Sequence, residues 1–340
     1  MRKPEYISPT SLSLWNSDRS EFYLKYLADN RPPKMPQTRP MSVGSAFDAY
    51  TKSWMVEKLF GVGAKLEFSF ETLFEAQVEL QNRDWARTAG KVVFDAYMLS
   101  GALMDLMSEI ELCVGEPRFE TRVRRDVDMP EIFKDGPLPF LGIPDLLFTT
   151  SAGVAVIIDW KVNGYCGNSN VSPKPGYILV RDGWAKDTEK ASRNTNVAHK
   201  NCILENVGGM QINIAAPLEQ VDETWANQLS IYGWMEGELV GSKFLVGIEQ
   251  LCAKPTGGAT PLLRVASHRS RVSAPYQMQL YVAAKTMWRA IESGHIFDDL
   301  SVSESNEKCE TLDDYYLAFD EDEGSDKKWL MDIVRQHNNF

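Results

Sequence analysis

The amino-acid sequence predicts an α/β protein, with a central mixed β-sheet flanked by helices and a helical region at the N-terminus. Three observations predict it. Apolar residues recur at helical spacing through residues 43–112. Short apolar runs bounded by turn residues follow at 119–161 and 243–272. Helical segments at 221–239 and 275–293 are interleaved with those runs.

Taken in order, Pro32-Pro33-Lys34-Met35-Pro36 ends an opening helix and starts a linker. A helix from about Val43 to Leu59 carries Asp48, a charge that also suits the outer face of an amphipathic helix. Glu71 to Leu112 is helical, and its Leu73, Phe74, Val78, Trp85, Val92, Val93 and Phe94 suit core packing. Phe119 to Met129 reads as the first strand of the sheet. Its Arg122, Arg124 and Arg125 suit contact with phosphate as well as plain solvent exposure. Phe140 to Phe148 reads as the second strand, Thr149 to Gly153 as a turn and Val154 to Lys161 as the third strand.

The stretch Asn163–Glu219 is too long for a simple connection. Between Ser172 and Lys200 it is basic, with Lys174, Arg181, Lys186, Lys190, Arg193, His199 and Lys200. Tyr165, Tyr177 and Trp184 add rings of the kind on which single-stranded bases stack. It reads either as a mobile substrate clamp or as a surface excursion or oligomer contact. Asp222 is placed to cap the helix of Val221–Leu239, on which Gln228 and Tyr232 share a face. Strands at Lys243–Ala253 and Leu262–Val272 follow, the second made basic by Arg264, His268, Arg269 and Arg271 and suited to line a groove. A helix from Pro275 to Ser293 comes next, and the acidic tail after Asp298 reads as surface, partly disordered. The organisation is thus a helical region (1–115), a core (116–300) with a basic insertion (163–219), and the tail (301–340).

The chemistry concentrates at Asp145, Asp159 and Lys161. A hairpin between the second and third strands brings Asp145 opposite Asp159. Alternation puts Asp159 and Lys161 on one face and Trp160 on the other. Val154–Ile158 is apolar throughout and predicts burial on both faces, where an idle charge at Asp159 is costly. Two carboxylates and a lysine form a minimal site for metal-assisted phosphodiester hydrolysis. The acids take Mg2+ or Mn2+ through oxygen, and the lysine orients the attacking water or stabilises the transition state.

These residues resemble the PD-(D/E)XK nuclease superfamily, in its RecB-like and Cas4-like exonuclease branch. Four further segments stand in that family's order. Ser11-Leu12-Ser13-Leu14-Trp15 with Phe22-Tyr23-Leu24-Lys25-Tyr26-Leu27 resembles its opening helix. Gly44-Ser45-Ala46-Phe47-Asp48 resembles a Gly-x-x-x-His motif, with aspartate in the histidine's place. The core motif then falls on Asp145, Asp159 and Lys161, and Gln228-Leu229-Ser230-Ile231-Tyr232 resembles the Gln-x-x-x-Tyr element. The resemblance covers roughly residues 8–300 apart from the insertion. It implies a restriction-endonuclease-like fold with a helical cap over the site and Asp145, Asp159 and Lys161 as catalytic residues. It implies Asp145, Asp159 and Asp48 as ligands of Mg2+ or Mn2+, and Gln228 and Tyr232 as positioners of the DNA strand. A DNA exonuclease of recombination or repair follows, of the stand-alone kind found in phages and bacteria, acting with recombination or replication proteins in the cytoplasm. A structure- or site-specific endonuclease and a non-catalytic DNA-binding assembly protein are the alternatives.

Many relatives hold an iron–sulfur cluster with one cysteine before the Phe-Tyr-Leu segment and three near the C-terminus. Here Asp18 stands in the first place and only Cys309 lies near the end, with Cys113, Cys166, Cys202 and Cys252 scattered; neither a cluster nor a zinc site is expected. No G-x-x-x-x-G-K-[ST] or G-x-S-x-G motif occurs. His199, His268, His295 and His337 form no close pair. The sequence shows no signal peptide and no apolar run long enough to span a membrane. The net charge of −11 argues against tight, non-specific binding to duplex DNA through a large electrostatic footprint. Lys174, Arg181 and Lys186, with Arg122 and Arg124, are therefore the local basic groups expected to meet DNA.

Overall fold

A computed structural model describes residues 1–31, 35–129, 131–167, 171–184, 203–207, 210–254 and 262–321. The fold is α/β. A mixed six-stranded sheet runs in the order β1 (Arg118–Phe119), β4 (Leu146–Thr149), β5 (Ala155–Asn163), β9 (Leu245–Lys254), β10 (Leu262–Ser270) and β6 (Leu179–Trp184). β5 and β9 are parallel, and every other neighbouring pair is antiparallel. Two small two-stranded sheets, β2 (Val123–Val127) with β3 (Leu138–Gly142) and β7 (Ile203–Val207) with β8 (Met210–Ile214), complete the strands.

Helices cover both faces, which is why β5 is apolar on both sides. Val156, Ile158 and Trp160 pack against α3 (Arg39–Phe60), α5 (Arg83–Ser100) and α6 (Ala102–Glu111). Ile157 joins the opposite layer, built from α1 (Pro9–Ser17), α2 (Arg19–Phe22), α7 (Leu218–Val221), α8 (Glu223–Met235) and α9 (Ala274–Ser293). α8 begins where Asp222 Oδ1 accepts the Trp225 N–H at 3.0 Å, as its sequence predicts. Two glycines admit close approach. A Cβ at Gly90 on α5 would collide with Ala46 of α3, and one at Gly142 on β3 would collide with the Tyr232 ring of α8.

Several expected elements are drawn differently. Phe140–Phe148 is not one strand. Pro144, with no N–H to give a ladder, separates β3 from β4, which enter different sheets. Phe119–Met129 likewise divides into β1 and β2 around Glu120, whose φ of 45° makes it the one non-glycine with positive φ among the described residues. The insertion 163–219 is not simply a loop. It supplies the edge strand β6, registered Arg181 to Val265, and the β7–β8 hairpin. The tail after Asp298 is mostly at the surface as far as it is described, but it forms α10 (Val302–Glu321), where Ser305 and Cys309 are buried and Asp313 accepts the Tyr23 hydroxyl at 2.7 Å. Residues 322–340, on which the expected disorder also falls, lie outside the described residues. Of the four basic residues of the second late strand, Arg264 stays exposed and Arg271 partly so, but the other two do not line a groove. His268 and Arg269 are buried, and Arg269 pairs with Glu109 and Glu249. Among the described residues no helix is long and apolar enough to cross a membrane.

Candidate active site

The β4–β5 hairpin registers Leu146 against Ile158, which sets Asp145 beside Asp159 at the start of the ladder. The Asp145 carboxylate is close enough to act on Asp159 as a like charge. Asp145 Oδ2 also accepts the Trp160 N–H at 3.2 Å. Trp160 itself turns to the other face, where its Nε1 donates to the Tyr97 hydroxyl. Lys161 Nζ lies 2.5 Å from Asp159 Oδ2, although that oxygen is buried and accepts no bond of hydrogen-bond geometry.

α8 closes the arrangement. Gln228 Nε2 donates to Asp159 Oδ1 at 2.9 Å, while its Oε1 accepts from Lys161 Nζ at 2.9 Å. The same amide nitrogen reaches the Tyr232 hydroxyl at 3.0 Å. Gln228 therefore bridges the acid and the lysine, and the i,i+4 spacing of Gln228 and Tyr232 is used as expected.

Asp48 reaches the cluster from α3, through a lysine that the sequence reading passed over. Lys52 Nζ lies 2.8 Å from Asp48 Oδ1, 2.7 Å from Glu120 Oε1 and 2.9 Å from Asp145 Oδ1. Its side chain is 1% exposed. Gln77, at the end of α4 (Phe70–Gln77), donates to Asp48 Oδ2 at 3.1 Å and Glu120 Oε1 at 2.6 Å. The outer-face reading of Asp48 is thus replaced by a buried ion pair. Gly44, one turn earlier, has nothing within 4 Å of where a Cβ would stand, so the helix is open on that side.

Lys52, Glu120 and Gln77 were missed because nothing local marks them. The i,i+4 spacing of Asp48 and Lys52 is the one available signal, and it describes a surface pair equally well.

The charges are unevenly settled. Four carboxylates (Asp48, Glu120, Asp145, Asp159) face two ammonium groups (Lys52, Lys161). Burial, opposed by Lys52 and reinforced by Asp145, pushes Asp48 up to about 7. Burial and then Asp145, opposed by Lys161, likewise push Asp159 up to about 7. Burial also acts against Asp145, but Lys52, Lys161 and the Trp160 N–H hold it below the usual carboxylate range. Burial works against the Lys52 ammonium, yet Asp145, Asp48 and Glu120 outweigh it and raise its pKa. Burial and Asp159 raise Tyr232.

This donor set suits a hard divalent cation: it is all oxygen, and an ammonium already stands among three of its acids as a stand-in ion. No three His, Cys, Asp or Glu side chains among the described residues form a ready metal cage. Magnesium does not require one, since it is commonly held by one or two carboxylates together with substrate phosphates. Cys113, Cys166, Cys252 and Cys309 are free thiols.

The expected DNA-contacting residues are not gathered around this cluster. Arg122 is exposed, and Arg124 on β2 binds Glu5 through its carboxylate at 3.2 Å and its carbonyl at 3.0 Å. Arg181 pairs with Asp105 of α6, on the face away from Asp159. Lys174 is the member that comes near. Its backbone N–H donates to Gln250 Oε1 at 2.9 Å, and Gln250, level with Lys161 in the β5–β9 register, donates to Asn163. The Lys174 ammonium is half exposed, 3.4 Å from Asp222. Lys186 lies outside the described residues, as do Lys190, Arg193, His199 and Lys200. Comparison with known proteins adds no family: no family model matches the chain, and no curated protein is significantly similar to it.

Proposed function

We propose that the chain is a Mg2+- or Mn2+-dependent deoxyribonuclease of the PD-(D/E)XK kind, removing nucleotides from strand ends. One observation carries this reading: Asp145, Asp159 and Lys161 meet at one point, and Gln228 is hydrogen-bonded across Asp159 and Lys161. Four polar side chains from a hairpin and a separate helix converge there, with Tyr232 behind them. A surface ion pair needs no such support. The fold, a mixed sheet with helices on both faces, is compatible with a restriction-endonuclease-like core.

Asp145 and Asp159 would hold the metal, with Asp48 in the same acid cluster. The ion, when bound, supplies a more acidic water and neutralises charge on the phosphate. Lys161 contributes a partly exposed positive charge, able to steady the attacking water or the phosphate oxygens. Gln228 fixes that lysine against Asp159, and Tyr232 fixes Gln228. Lys174, on the same face beyond Asn163 and Gln250, is the basic group best placed to meet the strand. Work in recombination or repair of phage or bacterial DNA, beside recombination or replication proteins, suits an end-directed nuclease.

End-labelled single- and double-stranded DNA, incubated with Mg2+ or Mn2+, tests the reading. Mononucleotide release from labelled ends is expected, and closed circular single strands should stay intact. Cut circles would move the assignment to an endonuclease. Lys161→Ala should lower cleavage by about 10³-fold or more while DNA still binds. Undiminished cleavage by that variant would overturn the proposal.

A further inference from the structure

Lys52 occupies an unusual place for a lysine. It is 1% exposed, and its ammonium faces three carboxylates on three different segments: Asp48 on α3, Glu120 at the β1–β2 break and Asp145 at the head of β4. A buried ammonium is stable only when so compensated. Here two of the carboxylates, Glu120 and Asp145, accept hydrogen bonds from it, and Asp48 adds a third charge at 2.8 Å. Glu120 adopts its positive φ at this point, and its N–H reaches back to the Asp145 carbonyl at 3.3 Å. Backbone strain is thus spent on bringing its carboxylate to the lysine. Gln77 covers Asp48 and Glu120 from outside.

Sites for phosphodiester hydrolysis that use a pair of ions hold them roughly 3.5–4 Å apart, bridged by shared acids. Asp145 is the shared acid of this cluster. One oxygen binds Lys52, and on its other side stands Asp159, whose buried Oδ2 is paired with the partly exposed Lys161 ammonium at 2.5 Å without accepting a bond of hydrogen-bond geometry. One of two neighbouring cation positions is therefore already filled, by a charge that is covalently attached.

We propose that Lys52 is a tethered cation that fills one ion position of the acid cluster, so that the site takes a single divalent ion, on the Asp145–Asp159 side. The inference rests on the metal-dependent reading above and deepens it. It also assigns Asp48 and Glu120: they hold Lys52 and, through it, fix Asp145. They are positioning residues.

Mn2+ titration of the full chain, by calorimetry and by electron paramagnetic resonance, tests this. Ions lost in Asp159→Asn count as belonging to the site. The wild-type protein should bind one Mn2+ with the spectrum of an isolated ion. Lys52→Met should bind two spin-coupled ions, the first about tenfold tighter or more. Its thermal midpoint, lowered without metal, should recover on adding Mn2+. Two coupled ions in the wild-type protein would overturn the proposal and leave the nuclease reading intact, and that arm decides even where Lys52→Met does not fold. Equal stoichiometry and affinity in the two proteins would also overturn it. No Mn2+ in either protein would remove this proposal and the metal-dependent reading together.

Discussion

Two lysines serve one acid cluster, and they are held in opposite ways. Lys52 faces three carboxylates, hydrogen-bonded to two of them, and is buried at 1% exposure. Lys161 is 27% exposed, touches one carboxylate and one amide oxygen, and keeps a third donor uncommitted among the described residues. A cation enclosed by the protein's own carboxylates shapes the site, whereas one left partly exposed is available to something from outside.

Arg269 extends the comparison to a third cation. It is as buried as Lys52 and sits between Glu109 and Glu249 at 2.8–3.1 Å, but on the α5/α6 face and away from Asp159. Arg269→Met should therefore cost stability, about 3–5 kcal/mol for stranding buried carboxylates, while the folded fraction keeps its specific activity. Asp159→Asn should do the reverse. It abolishes cleavage yet raises stability by about 0.5–2 kcal/mol, because it removes a poorly compensated charge. Denaturant unfolding beside a cleavage assay checks both, and loss of activity per folded molecule in Arg269→Met would break the distinction.

On the alternate position of the same strand, His268 sharpens it through pH. Burial, then Arg269, lowers its pKa to about 3 from an ordinary 6.5. The unfolded chain takes up a proton near 6.5 that the folded chain refuses until about 3, so this contribution is present above pH 6.5 and is lost as pH falls through that window. His268→Gln should flatten the decline of stability across that range, seen as melting temperature against pH. An unchanged slope would assign the decline to other groups.

Gly142→Ala probes the Gln228 and Tyr232 side alone. The added methyl meets the Tyr232 ring, so stability should fall by about 1–3 kcal/mol and kcat should drop with DNA affinity retained. Smallest are the surface bases. Lys174→Ala should weaken strand binding a few-fold and reduce the salt slope by about one, whereas Arg181→Ala, held by Asp105, should leave both unchanged. Filter-binding at several salt concentrations separates them.

Much of this was legible in the residues. Asp145, Asp159 and Lys161 could be read because a hairpin converts sequence spacing into contact, and Gln228 with Tyr232 because four residues make one helical turn. The Asp222 cap was legible for the same local reason. Lys52 and Glu120 were not, since their partners lie far along the chain and neither residue type nor spacing points across that distance. The bases of β10 misled the groove expectation because composition does not say which face a strand buries, and two of them meet acids or polar groups inside. The insertion hid an edge strand, whose pairing with β10 depends on a partner supplied much later in the sequence.

The joining of α3, the β4–β5 hairpin and α8 at one point has a temporal consequence. Asp48 and Tyr232 stand at the two ends of the sequence stretch involved, and the bonds between them close loops of 67 to 93 residues. Closing such loops costs chain entropy before the contacts repay it. A chain in the course of folding would thus hold all four acids of the cluster without their geometry, and the site would be completed as one event when the distant segments dock.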